Sequence, residues 1–165
     1  MLERTGIPTD GDLEKVIPDK KRLAEGPVVI IECFQKIPCD PCAISCKLGA
    51  IKPFKDINDL PVVDFDKCTG CGICISSCPG LAIFVIDMNY SDDKSLIKLP
   101  HEMLPLPEKG EEVYALDRDG STLGKVKVVK VLKIKNKTNI ISLEVPKNIA
   151  MKVRSIKGED KNNER

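Results

Sequence analysis

The chain has 165 residues, room for one ordinary domain or two small ones, and its 26 Lys and Arg against 25 Asp and Glu leave a formal charge of +1. No apolar run approaches the roughly 20 residues that span a bilayer, and 4% aromatic residues with no Trp rule out a core built on large rings. The charge is divided unevenly: residues 1–99 are net −3 and residues 100–157 net +5.

Residues 1–27 read as an N-terminal docking arm. Asp12 is placed to cap a short helix over 13–16, and Pro18 to open another that Gly26 ends. Leu13, Val16, Ile17 and Leu23 are too few for a core of their own, so the arm must lie on its own neighbouring module or on a partner. Val28-Val-Ile-Ile31 is β-branched and reads as a strand. It leads into a first run of cysteines, Cys33, Cys39, Cys42 and Cys46, with a short helix over 43–48 and a returning strand from Ala50-Ile51. Residues 53–60 form a linker. Val62-Val-Asp-Phe65 then leads into Cys68-Thr-Gly-Cys71-Gly-Ile-Cys74-Ile-Ser-Ser-Cys78-Pro79, a helix around 75–77 and a strand over 82–86.

After Asn89 the composition changes. Residues 91–109 form an extended, Pro-rich connector with Pro100, Pro105 and Pro107. From Gly110 the chain reads as all-β: a strand over 112–116, a turn at Asp117-Arg-Asp-Gly120, a return beginning at 121–124, and a long strand over 125–135. Lys130 interrupts the apolar face of that strand and predicts a bulge. Strands over 140–145 and 151–156 follow, with a polar tail at 158–165. Four or five short strands at 110–157, opened by Gly-Glu-Glu-Val, loosely resemble a small SH3-like barrel. Its lysines either orient a docking partner or protect an exposed strand from edge pairing.

The cysteines carry the chemistry. Residues 68–79 spell C-x₂-C-x₂-C-x₃-C-P, a run whose first three thiolates can wrap one 4Fe–4S cube while the fourth reaches another cluster. Shifted by 32 residues, Cys39, Cys42 and Cys46 fall on Cys71, Cys74 and Cys78, and Ala50-Ile51 on Ala82-Ile83. Cys68 falls instead on Lys36; the available thiol, Cys33, lies three residues earlier, and Lys47 stands where the second run has Pro79. Four disulfides are the wrong reading for a chain whose residues 1–8 show no secretory leader and which is therefore expected in a reducing cytoplasm. A Cys₄ zinc site uses two C-x₂-C pairs across a longer spacer, unlike this run.

Residues 28–87 thus resemble a bacterial two-cluster 4Fe–4S ferredoxin, with a regular second motif and a loosened first. The resemblance implies an α+β, pseudo-symmetric dicluster module over 28–90, followed by the small β-barrel at 110–157. By the family's crossed pairing, cluster one is held by Cys33, Cys39, Cys42 and Cys78, and cluster two by Cys68, Cys71, Cys74 and Cys46. If Cys33 cannot reach, cluster one becomes a three-thiolate site, labile or of 3Fe–4S form. Gly70 and Gly72 allow close backbone approach and positive φ, whereas Pro38 and Asp40 make the first wrap stiffer, so the two potentials should differ. Ile44, Ile73, Ile75, Leu81, Ile83 and Phe84 are the expected dry shell. Lys47 is either a cation beside cluster two or a solvated surface lysine.

No catalytic constellation is evident: every Cys is assigned, and His101, the single His, is expected to be structural or on the surface. The expected role is an electron-transfer subunit. No G-x-G-x-x-G follows a strand, so flavin or nicotinamide must belong to a partner. Ile31-Glu-Cys-Phe-Gln-Lys-Ile-Pro-Cys39, with the appended C-terminal region, resembles the ferredoxin-like small subunits of multi-subunit flavin-dependent proline or hydroxyproline dehydrogenases, which implies flavoprotein partners in a hetero-oligomer. A free-standing ferredoxin with an appended domain is the alternative. A nucleic-acid-binding role is disfavoured, because residues 100–165 offer only Tyr114 for base stacking.

Overall fold

A computed structural model describes residues 2–158; the expected tail lies almost entirely outside them. The N-terminal arm forms three single-turn helices, α1 (Leu2–Thr5), α2 (Asp10–Leu13) and α3 (Lys20–Ala24). Thr9, not Asp12, caps α2: its hydroxyl accepts from the Asp12 N–H, and the Asp12 carboxylate accepts from the Thr9 N–H, a reciprocal capping box. Asp19 caps α3 by accepting from the Arg22 N–H at 2.8 Å. The arm lies on its own chain. Val16 and Leu23 pack against the larger core, and Asn89 donates to the Ala24 carbonyl.

Strand β1 (Val28–Ile31) pairs antiparallel with β2 (Ile83–Asp87), Val28 opposite Ile86 and Ile31 opposite Ile83. Everything between them belongs to the cysteine loops, with α4 (Pro41–Ser45), α5 (Ile73–Ser77) and a single bridge, Ile51 to Val63. The two short helices pack against one another. Both end at a cysteine, Cys46 and Cys78, whose backbone has left the helical region.

Residues 94–101, expected within the connector, form strand β3 (Lys94–His101). Its outer neighbours are β2, with Val85 opposite Lys98, and β6 (Asn139–Pro146), with Lys94 opposite Pro146 and His101 opposite Asn139. The remaining strands are β4 (Glu112–Leu116), β5 (Thr122–Leu132) and β7 (Ser155–Lys157), which complete one antiparallel sheet in the order β1-β2-β3-β6-β5-β4-β7. The β5–β6 register shifts between Val128 and Lys130, where the break in apolar parity predicts it. The expected strand over 151–156 is shorter, because α6 (Lys147–Ala150) runs on through a turn to Lys152 and only Ser155–Lys157 pairs with β4.

Two cores lie on opposite faces of β1 and β2, sorted by the period-2 alternation of a strand. Val28, Ile30, Phe84 and Ile86 enter the larger core with Ile97, Leu99, Val113, Val128, Ile141 and Leu143. Val29, Ile31, Ile83 and Val85 enter the smaller core with Ile51, Ile75 and the cysteines. All seven strands reach the larger core from one side, so the sheet is rolled, and β7 returns close to β3. The wall β1–β2 is therefore shared between the cysteine loops and the C-terminal strands, which explains why residues 28–31 and 83–86 are apolar at every position, Val-Val-Ile-Ile and Ile-Phe-Val-Ile.

Candidate metal centre

β1 ends two residues before Cys33, and α4 carries Cys42 and releases Cys46 at its C-terminus. The second run does the same with α5, Cys74 and Cys78. Because α4 and α5 are packed side by side, the thiol at the end of each turns toward the other's loop. Cys33, Cys39, Cys42 and Cys78 line one cavity, closed by Ile31 and Ile83. The charges felt by each thiol report the same grouping. Burial raises the Cys33 pKa, and Cys78 and Cys39 raise it further. Burial also pushes Cys42 up to about 11, where a hydrogen bond from Ala43 opposes Cys78, Cys33 and Cys39. Cys39 is raised by burial, then by Cys78 and Asp40.

The other four thiols form a second group around Cys74. Burial pushes Cys74 up to about 12, with Cys71, Cys68 and Cys46 adding to it. All eight cysteines are free thiols, Cys74 buried and Cys71 exposed. The structure thus brings Cys33, Cys39 and Cys42 together with Cys78, and Cys68, Cys71 and Cys74 together with Cys46.

This donor set fits a pair of iron–sulfur cubes. Soft thiolates are the ligands that iron–sulfur clusters take, and thiols whose pKa burial has raised give up their protons to metal on binding. Among the described residues, no three His, Cys, Asp or Glu are gathered round a single ion; a cube several ångströms across keeps its thiolates further apart. Backbone N–H groups already aim at sulfur: Ile51 donates to Cys46 Sγ at 3.4 Å and Gly70 to Cys68 Sγ at 3.5 Å. Gly70 has φ +62°, and a Cβ there would lie 2.6 Å from the Pro27 Cβ, so no other residue fits between that strand entry and the loop.

The walls differ in part from expectation. Ile75 and Ile83 are fully buried beside the thiols. Ile44 and Ile73, however, are 76% and 46% exposed. A five-residue helix has one inward side, occupied in α4 by Cys42 and Ala43 and in α5 by Cys74 and Ile75. Phe84 points to the opposite core, its ring 4.8 Å from the Arg154 guanidinium. Leu81 is half-buried with φ +52°, and Lys47 is exposed. His101 is buried in β3, away from the thiols, and burial lowers its pKa.

Three groups around the site carry no local sequence signal. Arg22, from the arm, donates Nε to the Phe65 carbonyl at 2.8 Å and Nη2 to the Cys68 carbonyl at 2.6 Å, holding the second loop. Glu32, beside Cys33, accepts from Arg118 Nε at 2.9 Å and from Arg154 Nε at 2.8 Å, a largely buried triad of net charge +1. Burial raises the Glu32 pKa, but the Arg118 hydrogen bonds and the Arg154 charge outweigh it and hold the carboxyl below its ordinary value. Lys98 Nζ donates to the Gly70 carbonyl at 2.8 Å.

Residues 61–84 match the 4Fe-4S binding domain family. The chain is 34% identical over 68 residues to the ferredoxin-type protein NapF of Haemophilus influenzae, covering 39% of each chain. It is 43% identical over 54 residues to pyruvate synthase subunit PorD of Methanocaldococcus jannaschii, covering 33% of this chain and 60% of that one. It is 32% identical over 83 residues to Protein Pixie of Drosophila melanogaster, 46% of this chain but 13% of the other. The chain therefore spans less than two thirds of the curated relatives it matches. No solved structure matches it. Residues 61–84 thus match a 4Fe–4S binding domain, and the likeness to ferredoxin-type proteins supports iron–sulfur electron transfer.

Proposed function

We propose that this chain relays single electrons through two 4Fe–4S clusters, one held by Cys33, Cys39, Cys42 and Cys78 and the other by Cys46, Cys68, Cys71 and Cys74. The carrying observation is the sorting of eight free thiols into two groups of four, each completed by the last cysteine of the opposite run. When bound, such clusters supply one-electron storage with little geometric change. The protein's own residues do the rest. Ile31, Ile51, Ile75, Ile83 and Val85 keep water from the inner side of both groups. The Ile51 and Gly70 N–H groups offer hydrogen bonds to sulfur, which stabilise added negative charge.

The role proposed is that of a subunit docked to an oxidoreductase, of the flavoprotein class that the sequence resemblance implies, in a reducing cytoplasm. Two relatives are named as subunits of pyruvate synthase, which favours a complex over a free carrier. In this reading the chain is not itself the enzyme, and the rolled C-terminal strands at 110–157 form a small barrel beside the dicluster module. Native purification under strict anaerobiosis, with iron, sulfide and flavin counted in one fraction, tests it. About eight irons travelling with a flavin-bearing partner is the expected result. About eight on a lone polypeptide sinks the subunit role, and about four sinks the second cluster.

A further inference from the structure

We propose that Lys98 sets the reduction potential of the cluster held by Cys46, Cys68, Cys71 and Cys74, as a fixed cation that favours its reduced form; the proposal rests on the two-cluster reading above. Ser95, Ile97 and Leu99 face the larger core, so the strand's alternation puts Lys98 on the other face of β3, the face toward the cysteines. Its neighbours across the ladders are Val85 on one side and Ser142 on the other, so its backbone is held from both edges. The side chain runs along the second cysteine loop, with Cδ 3.6 Å from where a Gly72 Cβ would stand. It ends on the Gly70 carbonyl, at the centre of Cys68-Thr-Gly-Cys71.

One N–H of the ammonium is thus accounted for, and the charge is half-buried within reach of two thiols of this group. Burial works against that charge, while Cys71, Asp87 and Cys68 favour it and Lys130 opposes it. An electron added to the cluster deepens the negative field at the same place, so a cation there stabilises the reduced state and raises the potential. Water and salt screen an exposed charge far more than a half-buried one, which is why Lys98 and not the exposed Lys47 is the effective group. The thiols that act on Lys98 are Cys71 and Cys68, both of this group, and the charges felt by Cys33, Cys39 and Cys42 do not include Lys98, so Lys98 acts on one cluster of the two.

The test is a potentiometric titration of the intact protein, anaerobically, with both clusters followed by electron paramagnetic resonance. In Lys98→Met and Lys98→Gln, the equilibrium constant for reducing one cluster should fall about tenfold, a shift of about 59 mV for one electron. The other cluster should stay in place, and the iron count should hold at about eight. Lys98→Arg should titrate as wild type. In a Cys33→Ser background, the shift should persist on the surviving cluster. No shift, an equal shift of both clusters, or a shift in Lys98→Arg as large as in Lys98→Met overturns the proposal. So does loss of iron from Lys98→Arg together with Lys98→Met and Lys98→Gln, which would make the residue a structural pin. A wild-type count of about four irons would refute the two-cluster reading instead, and the Lys98 shift would still be read on the cluster that remains.

Discussion

Replacing Glu32 with Gln keeps the shape of the side chain and removes the only negative charge between two guanidiniums. The Glu32 side chain is 9% exposed, Arg154 6% and Arg118 14%, so the substitution leaves two cations facing a neutral amide with almost no water between them. Removing one partner of a buried ion pair costs about 3–5 kcal/mol. For a chain of this size each kcal/mol moves the unfolding midpoint by about 2–4 °C, so Glu32→Gln should lower it by about 6–20 °C. Arg118→Met is the informative contrast, since it leaves Glu32 balanced by Arg154 and no buried charge unpaired, so it should cost less. The assay is thermal loss of helix and sheet signal, run beside loss of cluster absorbance, at one scan rate under argon. The triad argument is refuted if Arg118→Met lowers the midpoint as much as Glu32→Gln does, or if Glu32→Gln lowers it by less than about 2 °C.

Further expectations come from single sites. Cys33→Ser should strip or degrade the cluster of its own group while the Cys74 group keeps its spectrum; loss of both signals together would contradict the grouping. Gly70→Ala meets Pro27 at 2.6 Å with φ +62°, whereas Gly72→Ala, at φ +88°, meets nothing closer than 3.4 Å. The left-handed backbone costs about 1–2 kcal/mol in either, so Gly70→Ala should lose more iron, and equal retention by the two would count against the packing of that loop. His101 is buried with its pKa lowered by desolvation, against the raising effect of the hydrogen bond its ring donates to the Met103 backbone carbonyl. The unfolded chain therefore binds the proton more readily, and the stability this group confers is fully present above about pH 6.5 and is lost as pH falls below that toward the folded value. Wild type should lose midpoint relative to His101→Gln between pH 7.5 and pH 5.5 (about one unit either side of the free imidazole value); a constant difference would refute it.

What could be read in advance was the chemistry, because thiol spacing is local. Intervals of three residues and a closing Pro constrain the ligands within one loop, and the 32-residue repeat shows in the letters themselves. Strand β1 was legible from its β-branched run, and the β5 bulge from the misplaced Lys130. Strand β3 was not, since Ser91-Asp-Asp and three prolines suggest a connector, although only Pro100 falls within the strand and near its end. The outward faces of Ile44 and Ile73 were missed because apolar character alone does not say which side of a one-turn helix meets the core. Lys98, Arg22 and Glu32 were invisible for another reason. Their partners lie 28, 43 and 46, and 86 and 122 residues away, and only the assembled sheet brings them together.

The wall formed by β1 and β2 has a consequence for the order of events during synthesis. Its two strands are separated by more than fifty residues of cysteine loop, and their pairing closes that whole segment at once. One face of the wall is covered mostly by residues that leave the ribosome with the loops, Ile140 of β6 joining later; the other waits for β3 and then for β6, whose last residue is Pro146. A nascent chain that has emerged only as far as Asp87 holds all eight thiols yet shows Val28, Ile30, Phe84 and Ile86 to solvent. Domains ordinarily fold from the N-terminus as they appear. Here the arm, the cysteine loops and the β1–β2 ladder can be in contact by Asp87, while the larger core gains its cover only as β3 to β7 are added.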